Sequence, residues 1–316
     1  MHVISFYQFK EISGDLLSAK NKITSFCESH KILGTTLIAK EGINGTVCGK
    51  EEAIEEFENL LFEIGFDSLE LKPSETNKLP FKRLKVKIKK EIVTFENLGE
   101  FANNTGTFIS PEKWEEFIEQ EDVILVDVRN KYETSIGKFS SALDPETDNF
   151  TEFKLFIEKQ LSNKKKNKIA TYCTGGIRCE KATSYMRDIG FENIFQLKGG
   201  ILNYLNQRKE TDNTTWQGEC FVFDERTALK EQSLDGSYEL CHGCRQPITD
   251  EDKLSEKYED GVSCPLCFDN RSEEQKSSSR ERQLQINLSK SKKRKLKTLN
   301  LTRQNFPFIQ ITLKSN

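Results

Sequence analysis

Residues 123–128 read Val-Ile-Leu-Val-Asp-Val, and a run of that kind leaves a chain few options. A strand with one wet face alternates apolar and polar side chains. A strand apolar at nearly every position must be covered on both faces, as in a parallel sheet flanked by helices. Lys168–Tyr172 and Asn193–Leu197 are two more short strand candidates, and Ser110-Pro111-Glu112 has the serine and proline of a helix start. Trp114, Phe117 and Ile118 would face inward from that helix. Strand and helix alternate, so residues 105–212 are expected to form an α/β domain with a mainly parallel sheet.

Residues 1–95 carry a different pattern. His2–Phe9, Thr35–Ala39 and Thr46–Cys48 read as strands, the last two around the tight turn EGING at 41–45. Leu16–His30 and Ile54–Ile64 have helical apolar spacing, and strands follow near Leu69–Leu71 and Leu84–Ile88. The order βαββαβ predicts a ferredoxin-like, acylphosphatase-like module. The turn-rich stretch NLGEFANNTGT is the linker between the two blocks. Beyond 213 periodicity fades into a cysteine-rich module at 213–288 and a basic or disordered tail at 289–316. In that tail only Phe306–Leu313 is apolar.

No apolar run approaches the roughly 20 residues of a membrane span. The start turns polar after nine residues, too early for a secretory leader. The reading is therefore of a cytoplasmic chain without membrane partners, its oligomeric state open. The nine cysteines are an odd number, and four of them form two CxxC pairs. Reduced thiols serving metal binding or chemistry fit this better than a disulfide framework.

Residues 172–182, YCTGGIRCEKA, follow a strand and run into a helix expected over 180–189. Amides of a glycine-bearing turn can converge on one point, and a helix N-terminus adds partial positive charge. A thiol there has its thiolate favoured, and the thiolate is the nucleophile. Cys173 is accordingly the candidate reacting group, and Arg178 supplies a fixed forked cation. Cys179 is either a packing residue or a resolving thiol. Thr174, Gly175, Gly176 and Ile177 are the loop residues expected to meet the substrate. Of the three histidines, His2 and His30 belong to the first block and His242 to a CxxC pair. Loop and helix must therefore do most of the activation. Asp127, Arg129 and Glu133 read as an ion-pair brace rather than an acid–base pair.

The block LVDVRNKYETSIGKFSSA (125–142), the loop opening at Cys173 and LKGGILNY (197–204) together resemble a rhodanese domain. That resemblance implies a cysteine that can carry a persulfide. AKEGINGTVCG (39–49), RLKVKIKKEIV (83–93), GECFVFDER (218–226) and the two CxxC pairs extend the likeness over residues 1–288. As a whole the chain resembles the bacterial rhodanese-domain tRNA uridine hydroxylases. What this implies is formation of 5-hydroxyuridine at the wobble position, with molecular oxygen as co-substrate and the tRNA anticodon loop as partner. A base would have to be splayed out to reach Cys173. Two other readings stay open: a sulfurtransferase moving persulfide sulfur from Cys173, and a non-catalytic, zinc-stapled RNA-binding protein.

Cys241-His-Gly-Cys244 and Cys264-Pro-Leu-Cys267 are separated by 19 residues, within the zinc-site pattern. Four thiolates leave no open coordination position, so the zinc would be structural. With a net charge of −3, a polyanion has to be held by local basic patches. Lys85, Lys87 and Lys89 alternate with Val86 and Ile88 on one strand and are the candidates for phosphate contact. Lys164–Lys166 and Lys292–Lys295 read as solvated loop and tail charges.

Overall fold

The computed structural model describes residues 1–96, 104–208 and 214–305. The chain divides into two compact units, Met1–Glu239 and Leu240–Asn316.

The first unit begins with β1 (His2–Phe9), α1 (Leu16–Ser29), β2 (Leu33–Ala39), β3 (Gly42–Gly49), α2 (Glu51–Glu63), β4 (Glu70–Glu75) and β5 (Leu84–Ile88). The order βαββαβ is the one expected, and the sheet runs β4-β1-β3-β2 with β5 added in parallel to β2. Ile4 and Phe6 face the helices and pack with Ile23, Cys27, Ile54, Phe57 and Leu61. Side chains alternate along a strand and paired residues share a face, so the other face is also defined by register. One row across it is Lys72, Ser5, Thr46, Thr35 and Lys85; the next is Glu70, Tyr7, Asn44, Leu37 and Lys87.

Then come β6 (Thr107–Ile109), α3 (Pro111–Ile118), β7 (Val123–Asp127), α4 (Lys131–Thr134), β8 (Gly137–Phe139), α5 (Phe153–Phe156), β9 (Lys168–Tyr172), α6 (Ile177–Asp188), β10 (Asn193–Leu197) and α7 (Gly200–Gln207). Strands β6-β10-β9-β7 form a wholly parallel sheet. Neighbouring residues of its strands enter opposite cores. Val126 and Ile169 pack with Phe153, Ala182 and Met186. Leu125 and Ala170 pack with Trp114, Leu197 and Ile201. Both faces are dry, as the run at 123–128 requires. Strand β6 emerges at the end of the expected linker, whose residues 97–103 lie outside the described residues.

The cysteine-rich module does not begin at 213. Strands β11 (Trp216–Gly218), β12 (Cys220–Phe221) and β13 (Ala228–Leu229) belong to the first unit. The cause is apolar and ionic anchoring: β11 pairs with β8, Trp216 meets Phe139 edge-on at 5.1 Å, and Arg226 reaches Ser74 at 2.9 Å. The boundary falls within β14 (Glu239–Leu240), and the second unit holds β15 (Pro247–Ile248) and α8 (Glu273–Asn305). Backbone expected as a tail is helical through Asn305, in a stretch without glycine or proline to break it. Phe306–Leu313 lies outside the described residues. Among the described residues no helix is long and apolar enough to cross a membrane.

Candidate active site

Strand β9 delivers the chain to Cys173, and Gly176 turns it into α6 with a φ of 96°, a region that favours glycine. A Cβ at 176 would stand 3.0 Å from the Tyr7 hydroxyl. The helix opens at Ile177, three residues earlier than expected, which puts Arg178 and Cys179 in its first turn. The N–H of Gly176 donates to Cys173 Sγ at 3.1 Å. From α7, the N–H groups of Ile201 and Leu202 fix the carbonyls of Cys173 and Thr174, both at 3.0 Å.

Cys173 is fully buried, and burial alone would raise its pKa. It is outweighed by a hydrogen bond from the Cys179 thiol, the charge of Arg178 and the amides of Arg178 and Cys179, which bring the pKa down to about 5. Burial and the bond to Cys173 push Cys179 the other way, so Cys179 keeps its proton. The pair is a thiolate with a thiol donor, both cysteines free of any disulfide.

Arg178 does more than lend charge. It forms a forked pair with Glu133, 2.6 and 2.7 Å, and reaches Thr174 Oγ1 at 3.2 Å. Thr174 Oγ1 also donates to Glu133 at 3.1 Å. Glu133 is fully buried; burial would raise its carboxyl, and the Arg178 guanidinium overrides that and holds it below the usual range. Asp127 and Arg129 pair with each other at 2.7 Å. The expected three-residue brace is thus two ion pairs, with Glu133 serving the loop. Ile177 and Gly175 are half-buried.

Two residues missing from the sequence reading reach the loop from the N-terminal sheet. Tyr7 donates to Glu180 Oε1 at 2.6 Å, and desolvation pushes the half-buried Glu180 up to about 7. The Lys72 ammonium lies 4.6 Å from the Tyr7 ring centroid, and a Cβ on Gly175 would touch the Lys72 chain at 3.9 Å. Below them Lys181 of α6 binds Glu41 at 2.9 Å and Glu91 at 2.6 Å. Glu41 also accepts from the Ile92 N–H at 2.6 Å, and Asn44 donates to the Ile92 carbonyl at 2.9 Å. The EGING turn, silent in local chemistry, supplies through Glu41 one of the ties between the two domains. Its recurrence as a family motif was the one signal pointing to it.

Of the candidate phosphate-binding lysines, Lys85 and Lys87 lie on β5 and Lys89 directly follows it. Leu84 and Val86 pack on the N-terminal core, Lys85 is half-buried, and Lys87 and Lys89 are exposed. They sit at the sheet edge opposite Lys72, so the structure does not bring them to the cysteine loop. In the second unit the sulfurs of Cys241, Cys244, Cys264 and Cys267 all lie within 4.8 Å of one another. Cys264 stands 3.8 Å from both Cys244 and Cys267. Thiolates about 2.3 Å from a tetrahedral zinc would be spaced at about that distance. Gly243 is required in the first turn, where a Cβ would meet the Val262 carbonyl at 2.2 Å.

Comparison with known proteins agrees with both domains. Residues 1–92 match the UPF0176 acylphosphatase like domain, and residues 110–207 the rhodanese-like domain. The tRNA uridine(34) hydroxylase of Teredinibacter turnerae is 46% identical over 277 residues, covering 87% of this chain and 86% of that protein. The hydroxylase of the same name from Picosynechococcus is also 46% identical, covering 87% of this chain and 92% of its own. That of Acinetobacter baumannii is 43% identical over 87% of each. Identity at this level, along nearly the whole length of each protein, reaches well beyond a shared rhodanese fold: the chain belongs to the tRNA uridine(34) hydroxylase family.

Proposed function

We propose that the chain is an oxidoreductase that hydroxylates carbon 5 of uridine 34 in tRNA, with Cys173 as its reacting group. The observation that carries this is the near full-length identity with hydroxylases of that name. The state of Cys173 supports it: a buried thiolate, with amides and a guanidinium arranged around it, is a prepared nucleophile. Addition of a thiolate to carbon 6 of a uracil raises electron density at carbon 5, the carbon to be hydroxylated, and departure of the thiolate with loss of the carbon 5 hydrogen restores the ring. Molecular oxygen is the proposed co-substrate, one atom going to carbon 5 and the other to water with two electrons from an external reductant. Cys179, holding its proton against Cys173, and Arg178 position that sulfur, while Thr174, Gly175, Gly176 and Ile177 bound the base. The anticodon loop is the part of tRNA presented, with Lys87 and Lys89 as outlying phosphate contacts, in a cytoplasmic enzyme. The four-cysteine cluster holds a structural zinc.

The test is mass spectrometry of tRNA nucleosides from cells carrying the gene, lacking it, or carrying Cys173→Ser. The last two should lack 5-hydroxyuridine at position 34. Full restoration by Cys173→Ser would sink the role given to that residue. Thiosulfate:cyanide turnover by the purified protein, with tRNA unaltered in the deletion, would instead favour sulfur transfer.

A further inference from the structure

Among the described residues, the first unit buries six cations: Lys72, Arg129, Arg178, Lys181, Arg208 and Arg226. Five of them face a carboxylate: Arg129 has Asp127, Arg178 has Glu133, Lys181 has Glu41 and Glu91, Arg208 has Glu115, and Arg226 has Asp224. Lys72 is the exception. It is 8% exposed, its ammonium reaches the Glu70 carbonyl at a long 3.5 Å, and it lies over the Tyr7 ring. A buried ammonium without a counter-ion is costly. Burial brings Lys72 down to about 8, against the more distant pull of Glu70, Cys173 and Glu180.

Lys72 borders a small cleft whose other walls include Ser5, Ser74, Asn206 and Arg226. Leu202, which also lines the cleft, holds the Thr174 carbonyl through its N–H, and Gly175 lies against the Lys72 chain. The cleft therefore adjoins the cysteine loop, with a buried cation on the wall between them.

We propose that this cleft is an anion subsite that takes a phosphate of the nucleotide presented to Cys173, with Lys72 as its counter-ion. The assignment rests on the reading that Cys173 meets a nucleotide. A phosphate supplies what the fold withholds from Lys72, and the hydroxyl and amide groups of Ser5 and Asn206 are further polar partners at the walls. The other five cations each have a carboxylate of their own.

Binding is tested on the intact protein without requiring turnover, by following alkylation of Cys173 with iodoacetamide through peptide mass spectrometry. Uridine 5′-monophosphate should protect Cys173 at concentrations about tenfold lower than uridine, the scale of one charge-assisted hydrogen bond. Lys72→Gln should erase that advantage while leaving uridine unaffected, and Lys72→Arg should keep most of it. Lys72→Met provides the folding control: removing an unpaired buried ammonium should leave the melting temperature equal or higher. Equal or absent protection by the two compounds in the parent protein would overturn the subsite, as would a phosphate advantage that survives Lys72→Gln. A nucleotide advantage with normal tRNA in the deletion strain would leave the subsite standing and remove the hydroxylase reading instead.

Discussion

Cys173 and Cys264 are equally inaccessible, each fully buried, yet their surroundings give the two sulfurs different work. Around Cys173 the negative charge is met from within the protein: one thiol donor, the amides of Gly176, Arg178 and Cys179, and the Arg178 guanidinium. Around Cys264 stand three more sulfurs within 4.8 Å. If all four lose their protons, no side chain in the cluster offsets the repulsion, and a divalent cation is what such a site takes. A lone buried sulfur with internal donors keeps lone pairs available for reaction. Four together spend theirs on an ion.

The largest effect that could break this contrast is metal removal. Purified protein should carry about one zinc per chain, and because structural zinc contributes about 10–16 kcal/mol to sites of this kind, chelation or Cys264→Ser should loosen residues 240–305 first. Elemental analysis and limited proteolysis read both outcomes. Alkylation of Cys173 should be unchanged; if it collapses with the metal, the two sulfur sites are not independent.

Arg178→Gln comes next. Removing the guanidinium takes away one of the charges that favour the Cys173 thiolate. Because Glu133 is buried and doubly bonded to Arg178, losing the cation should also cost about 3–5 kcal/mol of stability. Thermal unfolding measures it, and an unchanged melting temperature would show that Glu133 had found another partner or a proton.

A smaller effect sharpens the same point through pH. A group whose pKa is lowered is ionised above the new value, so Cys173 is thiolate above about pH 5. Its alkylation rate should level off by about pH 6, where that of an ordinary thiol is still rising. Cys27, pushed up to about 12 by burial, should react ever faster up to strongly alkaline pH. An inflection for Cys173 near pH 8–9 would mean that its donors are not acting on it.

The smallest expected change is at the sheet edge. Lys87→Gln with Lys89→Gln should lower the slope of log binding constant against log salt by about two units, one per phosphate contact. Cys173 alkylation should not respond. An unaltered slope across a salt titration would mark the edge as merely solvated.

Much of this architecture was legible because it is written locally. The run at 123–128 demanded two dry faces and has them, and the strand–glycine–helix grammar around Cys173 located the loop. Four cysteines at zinc spacing converge as their spacing requires. What escaped is what depends on docking. Tyr7 and Lys72 come to the loop from β1 and β4, across more than a hundred residues of sequence, and nothing in HVISFYQF or ELKPSE advertises a partner that far away. Glu133 looked like company for Asp127 and Arg129, whereas its side chain turns to Arg178, 45 positions on. The boundary at 213 misled for a similar reason: short strands with weak periodicity, held by Trp216 and Arg226, read as the start of something new.

Lys181 carries a consequence for how the protein is made. The carboxylates of Glu41 and Glu91 both lie on its ammonium, so before it arrives they share a space with no cation between them. A nascent chain exposes Glu91 some 90 residues before Lys181, a delay of roughly 5–18 s at ordinary elongation rates. Through that interval the first domain leaves the ribosome with its docking face electrostatically unfinished. The helix that relieves it is the same one that follows the cysteine loop, so the setting of the reactive sulfur and the docking of the two domains depend on one element.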